Sequence, residues 1–363
     1  MKKILFLFMF IPFYIQSFEY IYPVAVFNQD TLLVIKQKTI NSIELCLWDK
    51  KTKQLDPVLW SLFNPASLRL LPDKSGFSFI DDGLLKIKFF NKRSPKTIPF
   101  DEPLYNISMV EWIDNNYCYA SAKKGNHFGI FQLSIQGDVD CIVKNQFSDY
   151  LYPQKIDDFL FYIERMNHSY RVISIPYPKV IVKDNENDEN NNFDIKVQKI
   201  IDKQTRKEEK NVVAADKQLI IDFKRQPIAF LHMISANEGF VLEYDSHIDT
   251  NDDTILFSYL HLTKNNNNWS YTQLFSFALP TELLLGNSPE RLYESILPLL
   301  PRHIANGIYY VDAQQDSNLN IFQYDLDLET IKQKTKKTNK HCFAPLLING
   351  QVVFGGMRLD LLE

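Results

Sequence analysis

The sequence lacks the motifs that mark the common catalytic and metal sites. Its four cysteines include no Cys-x-x-Cys pair, which excludes a thioredoxin-type redox centre and the usual structural zinc site. It has no His-Glu-x-x-His, no Gly-x-Ser-x-Gly and no glycine-rich phosphate loop. The seven histidines are scattered along the chain. We therefore assign no catalytic, cofactor-binding or metal-ligating residue, and we expect no cofactor.

The sequence also has little excess charge and little glycine. Lys and Arg number 40 against 44 Asp and Glu, which gives a formal net charge of −4. Such a chain has no global field to hold a polyanion, so no nucleic acid partner is expected. Only 11 glycines accompany 27 phenylalanines and 18 tyrosines. That composition suits stacked β-sheets whose interior is filled by aromatic side chains.

The apolar run at the start of the chain is short for a membrane span. Two lysines precede the uncharged stretch Ile4–Ile11, and small Ser17 ends the segment, as in a secretory signal peptide over residues 1–17. The run has roughly 13 residues against the ~20 that a spanning helix needs. An uncleaved anchor is the alternative, because Ile15 is large for its place three residues before the cut. We expect cleavage before Phe18, a periplasmic or secreted protein, and no membrane span in the mature chain.

A polar turn followed by a short strand is the recurring unit of the sequence. It is clearest in Leu68–Phe90, where the turn Pro72–Gly76 leads into alternating apolar residues. A second hairpin turn, Asp81–Gly83, leads into the alternating stretch Leu84–Phe89. These features predict an antiparallel meander.

The same unit recurs elsewhere in the chain. Six further turns precede aromatic or β-branched strands, and they are Val26–Asp30, Trp112–Asn116, Pro153–Asp158, Ala236–Gly239, Ala305–Gly307 and Asn349–Gly350.

The spacing of these turns predicts a propeller. Most intervals lie in the range of about 40 to 50 residues that one four-stranded blade occupies. Two intervals, 157–238 and 238–306, are longer, and we interpret them as a blade with an insertion and a blade with long loops. We predict a single all-β propeller over residues 18–363, with seven blades preferred and six or eight as alternatives. The C-terminal stretch from residue 341 predicts an incomplete blade, which Phe18–Tyr22 would complete by closing the ring.

Two of these turns resemble a known repeat. Leu71–Phe79 is similar to the Ser-Pro-Asp-Gly turn and following strand of TolB-type, WD40-like propeller repeats, and Trp112 with Asp114 resembles the aromatic residue that begins such a turn. The resemblance covers the propeller part of TolB alone. It implies a propeller that presents loops and a central funnel to a protein or envelope partner, and it assigns a role to no single residue.

Residues 183–226 interrupt the pattern. Asp184–Asn192 is a polar tract that cannot bury apolar surface, and Gln198–Lys210 is rich in Lys, Arg and Glu. We predict a solvated inserted loop, with a partner-contacting flap as the alternative. Ile195–Ile201 and Leu219–Ile221 could form the two arms of a long hairpin.

The four cysteines could pair in three ways if the chain is exported. Cys118 and Cys141 fall on the second and fourth strands of one blade, and an intervening strand would separate them by roughly 9 to 10 Å, beyond disulfide reach. We therefore predict buried thiols for all four, with disulfides as the alternative. The four residues are Cys46, Cys118, Cys141 and Cys342.

Three polar stretches invite a metal or loop interpretation. Asp325–Glu329 alternates acid and Leu, which predicts a solvent-facing strand edge, with a cation site as the alternative. Asp249–Asp253 begins like a calcium loop, but Thr254 and Leu260 occupy the positions where Gly and Glu are required, so a hairpin turn is predicted. Asn265–Asn268 predicts a hairpin tip.

These features favour an exported, monomeric, non-enzymatic propeller that binds a protein or peptide, or acts as a scaffold, in the cell envelope. The alternative is a propeller enzyme that acts on a glycan or peptide. Its residues would converge on the central channel from separate blades, which a single sequence does not reveal.

Overall fold

The chain folds as an all-β propeller. The computed structural model describes residues 20–39, 42–61, 67–167, 169–177, 217–224, 227–245, 254–281, 296, 299–313, 318–335, 341–356 and 360–361. Across these ranges the strands form six four-stranded antiparallel sheets and one three-stranded sheet, in chain order. The predicted fold class is thus confirmed. Complete blades number six, one fewer than the preferred count of seven, because the last sheet has three strands in the part of the chain described.

The strand bounds follow the blades in order. The first three blades contain β1 Tyr20–Val26, β2 Thr31–Thr39, β3 Ser42–Asp49, β4 Leu55–Ser61, β5 Arg69–Leu70, β6 Gly76–Asp81, β7 Leu84–Phe89, β8 Lys96–Thr97, β9 Tyr105–Trp112, β10 Tyr117–Lys123, β11 Phe128–Ser134 and β12 Val139–Val143. The next two contain β13 Asp149–Ile156, β14 Phe159–Met166, β15 Ser169–Pro176, β16 Gln218–Lys224, β17 Ile228–Ser235, β18 Glu238–Tyr244, β19 Thr254–Asn265 and β20 Asn268–Pro280. The last two sheets contain β21 Arg302–Ile304, β22 Gly307–Asp312, β23 Asn320–Asp325, β24 Thr330–Gln333, β25 Phe343–Ile348, β26 Gln351–Gly355 and β27 Asp360–Leu361.

Seven of the eight predicted turns fall where the first strand of a sheet connects to the second, although Pro153–Ile156 of one of them belongs to β13. The eighth, Asp81–Gly83, connects the second strand of its blade to the third. In the second blade the Asp73 carboxylate accepts a hydrogen bond from the Ser75 amide at 2.9 Å, and the Leu71 amide donates to the Gly76 carbonyl at 3.0 Å. Gly76 is required there, because a Cβ would lie 2.5 Å from the Lys88 carbonyl oxygen of the neighbouring strand. The turns are therefore set by local chemistry that the sequence displays.

The first strand of each blade is innermost. The first strand β13 contacts the first strands β9 and β17 of the two neighbouring blades, whereas the fourth strands β8 and β24 are exposed along their length. Aromatic side chains fill the space between blades, as the composition predicted. Between the fifth and sixth blades the rings of Phe275 and Tyr310 stack at 4.2 Å between centroids.

The ends of the propeller meet at a short bridge. The Ile21 amide donates to the Gly356 carbonyl at 2.8 Å, and the Gly356 amide donates back to the Ile21 carbonyl at 3.0 Å. This bridge confirms that the two ends of the chain pair to close the ring. Tyr20–Tyr22 does not supply a whole missing strand of the last blade, because it belongs to β1, which pairs with β2 in the first blade, and Phe18 lies outside the described residues. Two hydrogen bonds and the rings of Tyr22 and Phe343, 5.5 Å apart, join the first and last sheets.

The two long stretches between predicted turns, 157–238 and 238–306, have different causes. Residues 178–216, which include most of the predicted insertion, lie outside the described residues and fall between β15 and β16 of the fourth blade. Leu219–Ile221 belongs to β16, which pairs with β15. The interval 238–306 contains β19 and β20, of 12 and 13 residues, so part of its extra length is strand rather than loop. Their connection, Asn266–Asn267, has φ of 49° and 66° and is the predicted polar hairpin tip.

The prediction that Asp325–Glu329 forms a solvent-facing strand edge is wrong. Strand β23 ends at Asp325 and β24 begins at Thr330. The Asp325 carboxylate accepts hydrogen bonds from the amides of Asp327 and Leu328, both at 3.1 Å, and so closes a turn that the alternating letters do not reveal. The candidate calcium loop Asp249–Asp253 lies outside the described residues.

All four cysteines are thiols. Cys46, Cys118 and Cys342 are buried, whereas Cys141 is partly exposed, so burial was predicted correctly for three. Strand β11 separates Cys118 on β10 from Cys141 on β12, as the spacing argument required. Within the described chain, no helix has the length and apolar character needed to cross a bilayer.

Candidate binding site in the central channel

A cavity of about 340 Å³ lies among the first strands of six blades. Its lining comes from β1, β5, β9, β13, β17 and β21 or the residues just before them, with one residue of β2. Each of these six blades contributes two to four described residues, so the cavity exists only in the assembled ring. The lining residues are Val24, Ala25, Leu33, Leu68, Arg69, Leu70, Met109, Val110, Glu111, Tyr152, Pro153, Gln154, Ile156, Phe230, His232, Met233, Leu300 and Arg302.

Irregular backbone turns several of these side chains toward the cavity. Met109 and Tyr152 have φ of 52° and 55°, a conformation that side chains other than glycine rarely adopt. The pairing of β13 with β14 shifts between Leu151 and Gln154, and that of β1 with β2 shifts between Pro23 and Ala25. Such bulges bend a strand and re-aim its side chains. The inner strands therefore depart from regular pairing where they line the cavity.

Hydrogen bonds from cavity residues tie the fourth blade to the fifth. The Tyr152 hydroxyl donates to the Ala229 carbonyl at 2.5 Å. The Gln154 side-chain amide donates to the Leu231 carbonyl at 2.6 Å, and its carbonyl oxygen accepts from the Met233 amide at 2.7 Å. These contacts hold this wall of the cavity in place without a bound ligand.

The described lining includes two arginines, one glutamate and one histidine. The Arg69 guanidinium donates from Nε to the Val110 carbonyl at 3.1 Å and from Nη1 to the Leu68 carbonyl at 2.8 Å. Burial raises the pKa of Glu111 above its ordinary value, although the nearby Arg69 charge opposes the shift. Burial and the charge of Arg302 together lower the pKa of His232. The described lining thus holds two permanently charged guanidinium groups and one carboxyl group.

Three histidines that looked scattered in the sequence meet beside the cavity. His232 and His261 are the cross-strand partners of Phe240 on either side, because β17, β18 and β19 are adjacent strands. Phe240 stacks on His261 at 4.8 Å and lies 4.1 Å from the His303 ring of the next blade. The Tyr259 hydroxyl and His303 Nε2 are 3.1 Å apart. Burial, aided by His232 and His261, lowers the pKa of His303 to about 4.

The acidic and nucleophilic groups of the lining are few. Among its described residues there is one carboxylate, Glu111, and there is no Ser, Thr or Cys. A glycosidase of the usual kind needs two carboxylates flanking the bond that is cleaved. Over the ranges that the structure describes, no group of three or more His, Cys, Asp and Glu side chains is arranged to hold a metal ion.

Sequence reasoning did not identify these residues, although a positional rule would have found most of them. The lining residues of the first five blades are mainly those just before each predicted turn, such as Val24-Ala25, Arg69-Leu70 and Met109–Glu111. Because the strand before that turn is innermost, its last residues reach the channel. The sixth blade follows the same rule through Arg302.

Comparisons with known proteins bear on the fold. Neither protein-family models nor curated protein sequences gave a match to this chain. A puromycin-hydrolyzing peptidase from Mycobacterium tuberculosis is structurally similar, with a TM-score of 0.58, 10% identity, and coverage of 95% of this chain and 53% of the peptidase. A prolyl endopeptidase gives a TM-score of 0.53 at 8% identity, with 95% of this chain and 50% of that chain covered.

TolB from Acinetobacter baumannii matches with a TM-score of 0.48 at 9% identity, over 89% of this chain and 65% of TolB. This chain spans about half the length of each of the two peptidases described above. At such identities, the likeness to the peptidases is one of fold alone. The propeller architecture expected from the turn Leu71–Phe79 is present in the sheets themselves.

Proposed function

We propose that the protein is a binding module that holds a short segment of a protein or peptide partner in its central channel. The observation that carries this proposal is the cavity, to which six blades contribute and which hydrogen bonds between blades hold open. A cavity of about 340 Å³ is at the small end of the ligand-site range of ~300 to 1,000 Å³. It accommodates one or two side chains, so a larger partner would insert a short segment and contact the mouth loops with the rest.

The competing function is an enzyme that acts on a glycan or peptide. The described lining contains one carboxylate and no Ser, Thr or Cys, and its Tyr152 hydroxyl is engaged with the Ala229 carbonyl, which supports binding over catalysis. The structural similarity to two peptidases supports only the propeller fold, and it assigns no activity to this chain.

The proposal includes export of a monomer to the periplasm or beyond after removal of residues 1–17. The partner is a protein or peptide, including an envelope component, and not nucleic acid. Mass spectrometry of the exported protein should find an N-terminus at Phe18. Recovery of the intact N-terminal peptide from a membrane fraction would establish an anchor instead.

A peptide-display selection on the purified protein tests the binding function. We expect selected peptides to lose at least about tenfold in affinity for the Ala25→Trp variant, because the indole fills the cavity, and less for the smaller filling Ala25→Leu. Thr330→Trp, on the exposed strand β24, is the matched control and should bind as the unchanged protein does. Thermal unfolding of each variant verifies that it is folded.

Two results would contradict the proposal. One is equal affinity of selected peptides for Ala25→Trp and Thr330→Trp. The other is failure to select any peptide, together with turnover of a glycan or peptide library by the purified protein, which would favour the enzyme.

A further inference from the structure

The cavity has a charge opposite to that of the whole molecule. The chain carries a formal net charge of −4, whereas the described residues of the cavity lining include two arginines, Arg69 and Arg302, and one carboxylate, Glu111. Glu111 is half-buried, and among the described lining residues its single carboxylate does not balance two guanidinium charges. A positively charged cavity in an acidic protein selects for an anionic group.

The two arginines come from different walls. Arg69 lies on β5 of the second blade and Arg302 on β21 of the sixth. The carbonyls of Val110 and Leu68 hold the Arg69 guanidinium, which is therefore fixed before any ligand arrives. Both side chains are half-buried and face one cavity. Guanidinium groups are suited to carboxylates, because their N–H groups match the two carboxylate oxygens.

The remainder of the lining is mainly apolar. Leu70, Met109, Phe230 and Leu300 surround the charged groups, and Val24 closes the wall of the first blade. A ligand that brought only a carboxylate would leave these side chains without contacts. The lining therefore fits a carboxylate with an apolar group beside it.

We propose that the cavity recognises the C-terminal carboxylate of a peptide that ends in an apolar residue, with Arg69 and Arg302 contacting the carboxylate. This inference rests on the peptide-binding function proposed above and names its ligand class. A chain terminus suits the small cavity better than an internal Asp or Glu does, because an internal residue requires the peptide backbone both to enter and to leave.

Small probes test this recognition directly. The probes are N-acetyl-L-phenylalanine, its C-terminal amide, and N-acetyl-L-aspartyl-L-phenylalanine amide, which carries its carboxylate on a side chain. Calorimetric titration of the full chain should show that the free acid binds at least about tenfold more tightly than either amide, the preference expected from charge-assisted hydrogen bonds.

Substitutions test whether the preference for the free acid over the amides arises in the cavity. Arg302→Gln should reduce the acid-to-amide ratio to below about threefold, and Arg302→Lys should retain part of it as a point charge. Lys332→Gln, which removes a cation from the exposed strand β24, is the matched control and should leave the ratio unchanged. Arg69 is left unchanged in this test, because its contacts with the Val110 and Leu68 carbonyls contribute to folding, and thermal unfolding verifies that each Arg302 variant is folded.

Three outcomes overturn the inference. Equal binding of acid and amide would show that the cavity does not recognise a carboxylate, while leaving peptide binding itself in place. Equal binding of the acid and the aspartyl probe would refute the assignment to a chain terminus. If no probe binds the unchanged protein while the display selection still yields cavity-dependent peptides, the inference fails and the proposed function survives.

Discussion

At the scale of single residues, the histidine cluster makes stability depend on pH. The pKa of His303 falls from 6.5 to about 4, because the folded protein buries the ring near His232 and His261. Between those pH values the unfolded chain binds a proton that the folded chain does not. The free energy of unfolding therefore falls as the pH falls from 6.5 to 4, by at most about 1.4 kcal/mol per pH unit for this group.

We expect His303→Gln to flatten this dependence. Urea unfolding at pH 7.5 and pH 4.5 should show a smaller loss of stability on acidification than the unchanged protein shows. Tyr259→Phe is the matched control, because it removes the hydrogen bond to His303 but no imidazole. It should lower stability by about 1 kcal/mol at both pH values. An unaltered pH dependence in His303→Gln would show that other groups cause it.

At the scale of elements, ring closure depends on the close approach of Gly355 in the last sheet to Ile21 and Tyr22 in the first. A Cβ on Gly355 would lie 2.5 Å from the Tyr22 Cβ and 2.7 Å from the Ile21 carbonyl oxygen. Gly355 ends β26 immediately before Gly356, whose two hydrogen bonds to Ile21 join the first and last sheets. Without a side chain at this position, the two sheets can approach to bonding distance.

Gly355→Ala should therefore separate the two sheets and lower the free energy of unfolding by about 2 kcal/mol, as other overpacking substitutions do. Hydrogen exchange at the Ile21 amide should accelerate in the folded variant. Gly350→Asn, in the turn before β26, is the matched control, because Asn accepts its φ of 73° and no atom lies within 4 Å of a Cβ there. If Gly355→Ala is as stable as Gly350→Asn, closure does not depend on this approach.

The sequence could predict elements that depend on adjacent residues, and it could not predict contacts that depend on how distant strands assemble. Turns such as Pro72–Gly76 were predictable, because the residues that shape them are adjacent in the chain. Asp325–Glu329 was assigned to the wrong element, because acid–leucine alternation is shared by strands and by this Asp-closed turn. The meeting of His232, His261 and His303, and the convergence of Arg69 and Arg302, depend on strand register and ring closure, which no local pattern contains.

At the scale of the whole molecule, the predicted insertion falls between the last two strands of one blade. Ser174 of β15 is paired with Gln218 of β16, so the chain leaves and re-enters the fourth blade at neighbouring points. Lys217 marks the return: its ammonium lies 2.8 Å from both oxygens of the buried Glu164 carboxylate. The strands β15 and β16 therefore need only a short connection, whatever the length of the sequence between them.

Replacing residues 179–215 with a four-residue Gly/Asn turn should leave the ring intact, with a free energy of unfolding within about 1 kcal/mol of the unchanged protein. The same replacement combined with Lys217→Met is the matched control. It leaves the Glu164 carboxylate without its lysine and should cost about 2 kcal/mol or more. Urea unfolding measures both. Brief proteolysis of the full chain should cut first between residues 183 and 210, and the shortened chain should resist it.

Peptide binding then separates the two functions proposed for the insertion. A solvated loop predicts that the shortened chain keeps its affinity for selected peptides, because the cavity lining is unchanged. A partner-contacting flap predicts a loss of affinity without a loss of stability. First cuts within blades such as Phe77–Phe89, or a large loss of stability on shortening, would instead mean that the insertion is docked on the ring and is part of its folded structure.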